Sequence, residues 1–173
     1  MTRVMTLLLT ACLMIGCGFH LRGLGEAGTL PPQLQVLYIE SKNAYGPLTQ
    51  DLKQMLQGMG AKVTAAAQES PARFVILRDE MGQQTTGMST TSQLSTYTLT
   101  YTVSYQIVDA AGKVLLLPRH ATATRSFTQN SNQMLSSNYE YMQLEQDMRR
   151  DVVAQIMYQL GSKNTAQLLA RSK

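Results

Sequence analysis

Tyr97-Thr-Leu99-Thr-Tyr101-Thr-Val103-Ser-Tyr105-Gln-Ile107-Val-Asp109 alternates large apolar or aromatic side chains with threonine, serine and glutamine from Tyr97 to Ile107. Successive side chains of a strand point to opposite faces, so this period of two describes one long strand with one apolar and one polar face. Asp109-Ala-Ala-Gly112 is turn material. Residues 113 to 117 and 121 to 127 then return as the antiparallel partner, and Pro118, which has no N–H to give a ladder, marks a bulge or bend. A long hairpin with a hydroxyl-rich face is the result. That face either stands in water or lies inside a polar cavity of a partner.

Working outward, Leu34-Gln-Val-Leu-Tyr-Ile39 is a short apolar run between turn formers and reads as a buried first strand. Gly46-Pro47 opens a helix whose Leu48, Leu52, Met55, Leu56 and Met59 fall on one face, and Gly58 and Gly60 close it. Residues 61 to 66 read as a brief strand. Arg73-Phe-Val-Ile-Leu77 begins another that continues as far as Gln84, and the Thr/Ser-rich residues 85 to 92 read as a loop. Residues 139 to 160 form a second helix with Leu144, Met148, Val152, Ile156 and Leu160 on one stripe, Glu145 four before Arg149, and Gly161 as its stop. Residues 164 to 173 add a frayed terminal turn. This order predicts an α+β fold: two helices packed on one face of a mostly antiparallel, roughly four-stranded sheet, one domain over residues 33 to 173.

The other end of the chain speaks to compartment. Arg3, an apolar stretch from Val4 to Ile15, and Gly16 match the three parts of a secretory signal, residues 1 to 16. Twelve residues of helix span only about 18 Å, too short for a bilayer core of about 30 Å. Met14-Ile15-Gly16-Cys17 resembles the lipobox at which bacterial signal peptidase II cleaves before a lipid-modified cysteine. Cys12 leaves with the signal, so Cys17 has no disulfide partner in the mature chain, and a thioether-linked lipid gives it a use. Lipid attachment at Cys17 is therefore expected, with residues 17 to 32, rich in glycine and proline, as the lipidated N-terminus and tether. Gly18 lacks the charge of an inner-membrane retention signal, which places the expected anchor in the outer membrane.

The composition excludes more than it names. Formal net charge is +4 for 173 residues, falling by one as Arg3 is removed, with no basic run of the kind nucleic acid requires. His20 and His120 are the only histidines, so there is no metal-ligand set of familiar spacing, and neither a nucleophile elbow nor a phosphate-binding glycine loop occurs. No catalytic residue, no metal and no cofactor beyond the lipid on Cys17 is expected, so the chain does not read as an enzyme. The tyrosines of the long strand suit either core packing or a half-wet protein interface.

Cys17-Gly-Phe-His-Leu-Arg-Gly23 after a lipobox closely resembles the mature start of the lipopolysaccharide-assembly lipoprotein family LptE, also called rare lipoprotein B. The similarity continues through Val36 to Glu40, Gly46-Pro47-Leu48, Tyr97 to Val103, Arg125-Ser-Phe127 and Glu145-Gln-Asp-Met148. The resemblance implies a two-helix, four-stranded sandwich. It also implies a non-enzymatic partner for the outer-membrane β-barrel LptD, acting as its plug and assembly factor in lipopolysaccharide transport. Members are similarly expected to bind lipopolysaccharide through basic residues that pair with lipid A phosphates. Here residues 88 to 93 and 133 to 138 contain no basic residue, and Arg119 and Arg125 on the returning strand become the candidates. The alternative is a free periplasmic lipoprotein that binds and transfers lipid, which would need a ligand-sized apolar cavity.

Overall fold

A computed structural model describes residues 30 to 89, 94 to 130 and 134 to 171. The signal, Cys17 and most of the tether lie outside the described residues. The elements run β1 (Val36–Glu40), α1 (Pro47–Gly58), β2 (Lys62–Val63), β3 (Ala72–Met88), β4 (Leu94–Asp109), β5 (Val114–Asn130), α2 (Met134–Leu160) and α3 (Lys163–Arg171). The strands form one sheet in the order β2-β1-β3-β4-β5. β1 is parallel to both neighbours, and β4 is antiparallel to both β3 and β5.

The α+β class stands, with differences in detail. The sheet has five strands where roughly four were expected, and the brief strand read in residues 61 to 66 is its two-residue edge, Lys62–Val63. Residues 85 to 88, expected in a loop, continue β3, because β-branched threonines fit a pleat once β4 supplies a ladder opposite them. The terminal turn is a third helix, α3, whose Leu169 is buried and whose Thr165 hydroxyl donates to the Gln159 carbonyl at 2.6 Å. α2 begins five residues before the expected start at Tyr139.

One apolar cluster joins the sheet to the helices. Leu37, Phe74, Leu99, Val103, Tyr105 and Ile107 meet Leu48, Leu52 and Leu56 of α1 and Met148, Val152, Ile156 and Leu160 of α2. Each fully buried aliphatic chain contributes roughly 1.5–3 kcal/mol. Met55, expected on the buried face of α1, lies at its margin and is 44% exposed. Pro47 starts α1 without needing its missing N–H. Gly60 at φ +87° ends it, where a side chain would be strained.

Two irregularities set where side chains point. Leu77 is an extra residue in β3, between the pairs Ile76 with Tyr105 and Arg78 with Ser104. Tyr105 pairs with Arg119 and Ile107 with Leu116, so Gln106 faces both Leu117 and Pro118. Pro118 thus sits in the expected bulge. β1 reaches only Val75 of β3, so β3, β4 and β5 run on as a three-stranded ribbon. At about 3.4 Å per residue, β4 alone is about 54 Å long. We call the end near Ala72 and Asp109 the base and the other the tip.

The sheet edge at β5 is partly closed by α2. The Thr122 N–H donates to Gln155 Oε1 at 3.3 Å, Gln155 Nε2 donates back to the Thr122 carbonyl at 3.1 Å, and Gln159 Nε2 donates to the His120 carbonyl at 3.1 Å. Two amide side chains one helical turn apart replace the next strand and blunt an edge that would otherwise template pairing.

Candidate interaction surface

β4 sorts its side chains by parity. Leu99, Tyr101, Val103, Tyr105 and Ile107 are buried on the helix-covered face. Thr96, Thr98, Thr100, Thr102, Ser104 and Gln106 occupy the outer face, half-buried. Register extends the outer face onto β5, where Thr128, Ser126, Thr124 and Thr122 stand opposite Thr96, Thr98, Thr100 and Thr102 and are exposed. The Oγ1 atoms of Thr96 and Thr128, and those of Thr102 and Thr122, are 3.3 Å apart. On the β3 side Gly82 faces Thr100, and Gly87 faces Thr96. The result is a stretch of hydroxyls on β4 and β5, each able to donate and accept, bordered on β3 by Gln84 opposite Thr98 and by Arg78 and Glu80, which pair at 3.5 Å opposite Ser104 and Thr102.

The tyrosines took the packing role, not the interface role. Phe74 stacks on Tyr105 with centroids 4.8 Å apart, and the Tyr105 hydroxyl donates to Gln159 Oε1 at 2.7 Å. Burial pushes the Tyr105 phenol up to about 12, with Arg119 pulling the other way. The Tyr101 hydroxyl donates to Asp79 Oδ1 at 2.6 Å, and burial first, then the Asp79 contact, raises its pKa far above the ordinary phenol range. Tyr97 stacks on Phe127, which meets Tyr141 of α2 edge-on.

Register puts both candidate arginines on the helix side, Arg119 opposite Tyr105 and Arg125 opposite Leu99. Arg119 Nη1 donates to Thr165 Oγ1 at 2.9 Å, tying β5 to α3. Arg125 pairs with Asp151 of α2 and donates to the Thr124 carbonyl at 2.9 Å. The two side chains are therefore engaged within the fold, at its margin. A buried or half-buried ion pair of the same kind, Arg149 with Asp51 at 2.7 Å, clasps α2 to α1.

Little here resembles a reaction centre. His120 is exposed opposite Ser104 on the outer face. Among the described residues no three His, Cys, Asp or Glu side chains group to hold a metal, and no helix is long and apolar enough to cross a membrane. A cleft of about 600 Å³ opens at the basal ends of the strands, outside the layer between sheet and helices. Sequence reasoning missed the edge-closing glutamines and Asp79. Gln155 and Gln159, one turn apart beside the apolar stripe of α2, were the available signal, but what they bond depends on a strand 33 to 39 residues away.

Known proteins resemble this chain along most of its length. Residues 34–160 match the family described as "LptE: Lipopolysaccharide-assembly". The LPS-assembly lipoprotein LptE of Pectobacterium atrosepticum is 29% identical over 169 residues, covering 95% of this chain and 89% of that protein. The protein of the same name from Photorhabdus laumondii is 26% identical, again over 95% and 89% of the two chains. Among solved structures, lipoprotein B from Nitrosomonas europaea superposes with a TM-score of 0.68 at 27% identity, covering 88% of this chain and 96% of that one. The rare lipoprotein B from Shewanella oneidensis shares the fold, with a TM-score of 0.63 at 19% identity over 76% and 98% of the two chains. A lipobox-like start, a helix-backed antiparallel ribbon and these matches lead to one conclusion: the chain belongs to the LptE family of lipopolysaccharide-assembly lipoproteins.

Proposed function

We propose that this protein is a non-enzymatic outer-membrane lipoprotein, anchored through lipid on Cys17, whose ribbon occupies the lumen of the β-barrel LptD as plug and assembly factor for lipopolysaccharide transport. The observation that carries the reading is the uncovered hydroxyl field on β4 and β5, opposite a face sealed by helices. Lumens of large outer-membrane barrels are polar, so a plug presents hydrogen-bonding side chains and avoids apolar ones. A lipid anchor in the same membrane raises the local concentration of plug at barrel. A free lipid-transfer module is the weaker reading, because the space between sheet and helices is filled by the apolar cluster.

Lipopolysaccharide contact is proposed at Arg119 and Arg125, whose guanidinium groups keep N–H donors beyond those used internally. A lipid A phosphate reaching Arg125 competes with Asp151 for the same group. The deciding experiment places a photoreactive residue at Thr100, Thr122 and Ser126, and as control at the helix surface position Tyr158. Crosslinks to a barrel from the first three are expected. A ribbon that crosslinks to nothing, together with recovery of the lipoprotein free of any barrel under mild detergent, overturns the proposal.

A further inference from the structure

The basal cleft has no occupant among the described residues. Its volume, about 600 Å³, lies in the range of ligand pockets, about 300–1,000 Å³. Pro32, Val36, Pro71, Leu115 and Leu169 give it apolar walls, and Asp109 and Lys113 add charged groups to its lining. The Oε1 atom of Gln33 is buried and meets no donor among the described residues. A largely apolar cleft suits an extended peptide, whose alternate side chains can present one apolar side.

Chain connectivity names the peptide. The described fold begins at Leu30, two residues before the cleft wall at Pro32, and residues 18 to 29 join it to Cys17. Within that stretch Phe19-His-Leu21-Arg alternates apolar and polar side chains. In an extended conformation Phe19 and Leu21 share one side, and His20 and Arg22 share the other. Eight residues lie between Leu21 and Leu30, a reach of about 30 Å when extended, and Gly23, Gly25 and Gly28 ease a reversal within it. A lipid gives Cys17 a use but does not account for the apolar Phe19 and Leu21.

We propose that residues 19 to 24 dock in the basal cleft as an extended segment, Phe19 and Leu21 against its apolar walls. The stretch after the anchor is then a fixed seat and not a loose tether. Two residues from Phe19 to Cys17 span about 7 Å, so the base is held close to the membrane and the tip of the ribbon stands about 54 Å from the base. The proposal rests on Cys17 being the lipidated first residue, and its test separates the two.

The full precursor is expressed in cells with a photoreactive benzoyl-phenylalanine at position 19, and the irradiated lipoprotein is digested for mass spectrometry. Crosslinks within the chain, to peptides holding Pro32 to Val36, Leu115 or Leu169, are expected. Crosslinks only to lipid or to a barrel protein overturn the docking. The mass of the N-terminal peptide reads the anchor independently: a lipidated Cys17 without the in-chain crosslink sinks the docking alone, and an unmodified Cys17 with the crosslink sinks the anchor alone. In the lipidated protein, Phe19→Ser with Leu21→Ser should speed hydrogen exchange of peptides 32–36 and 113–116 by about tenfold while peptide 97–107 stays protected. His20→Ser with Arg22→Ser should leave all of them unchanged. Equal exchange at the base in both pairs overturns the proposal.

Discussion

Leu99 and Thr100 are neighbours on one backbone and live in different solvents. Leu99 is 0% exposed beneath α2, whereas Thr100 is half-buried on a face that no element of the described fold covers. The inner face of β4 is held by volume, stacking and a few hydrogen bonds from tyrosine hydroxyls. The outer face is held by its own ladder and a few exposed contacts, two between threonine hydroxyls and one between Arg78 and Glu80. A polar surface that contributes little to folding, yet extends along β4 and β5 as a row of hydroxyls, is explained more economically by what it meets than by what it stabilises. The contrast sets an order of expected effects.

The largest belongs to the inner face. Tyr105→Ala removes a fully buried ring stacked on Phe74 and strands Gln159, and should cost about 3–5 kcal/mol in urea unfolding. Leu99→Ala should cost about 2–5 kcal/mol by the same mechanism. If either costs under about 1 kcal/mol, the inner face is not the core of this domain.

Alkali should produce the next effect. Tyr105 titrates near 12 when folded and near 10 when unfolded, so between these values the unfolded chain loses a proton that the folded chain keeps. Stability is therefore fully present below pH 10 and falls as pH rises through 12, by about 2–3 kcal/mol from this group. Urea midpoints at pH 8 and pH 11 should differ less in Tyr105→Phe than in the parent. An equal drop in both would assign the alkaline loss to other groups.

Removing the edge clasps should be milder. Gln155→Ala with Gln159→Ala frees the His120 and Thr122 backbone groups and the Tyr105 hydroxyl. A loss of about 1–3 kcal/mol, with new concentration-dependent association in gel filtration, is expected. Arg125→Ala breaks a pair in which both partners are nearly half exposed, and should cost no more than about 1 kcal/mol. Its lipopolysaccharide binding, measured on the intact lipoprotein, should fall if the arginine contacts phosphate. Unchanged binding for both Arg119→Ala and Arg125→Ala would remove these candidates.

The smallest effect on stability should accompany the largest effect on partnership. Thr100→Arg with Thr122→Arg places two bulky cations on the outer face and should leave the urea midpoint within about 0.5 kcal/mol of the parent. Recovery of the barrel with the tagged lipoprotein should nevertheless collapse. Undiminished recovery would show that the outer face meets only water.

Local patterns made much of this legible. The period of two from Tyr97 to Ile107, the stripes of α1 and α2, the stop at Gly60 and the bulge at Pro118 all arise from residues within a few positions of one another. Such patterns survive in any fold that buries one face. The hydroxyl field was equally readable as alternation, in β4 and again from Thr122 to Thr128. Residues 85 to 88 and α3 were not, because a polar threonine run becomes strand only when β4 offers a ladder, and α3 needs the Gln159 and Arg119 contacts that hold Thr165.

By itself, the sequence determined which side chains share a face, where helices stop, and the α+β class, since nearest-neighbour periodicity and backbone chemistry act along the chain. Only the tertiary structure decided that the tyrosines face the helices, that Arg119 and Arg125 are engaged from that same side, and that two glutamines close a sheet edge. Each depends on groups dozens of residues apart, 54 for Tyr105 with Gln159 and 26 for Arg125 with Asp151, whose meeting is set by strand register and helix placement and not by local preference.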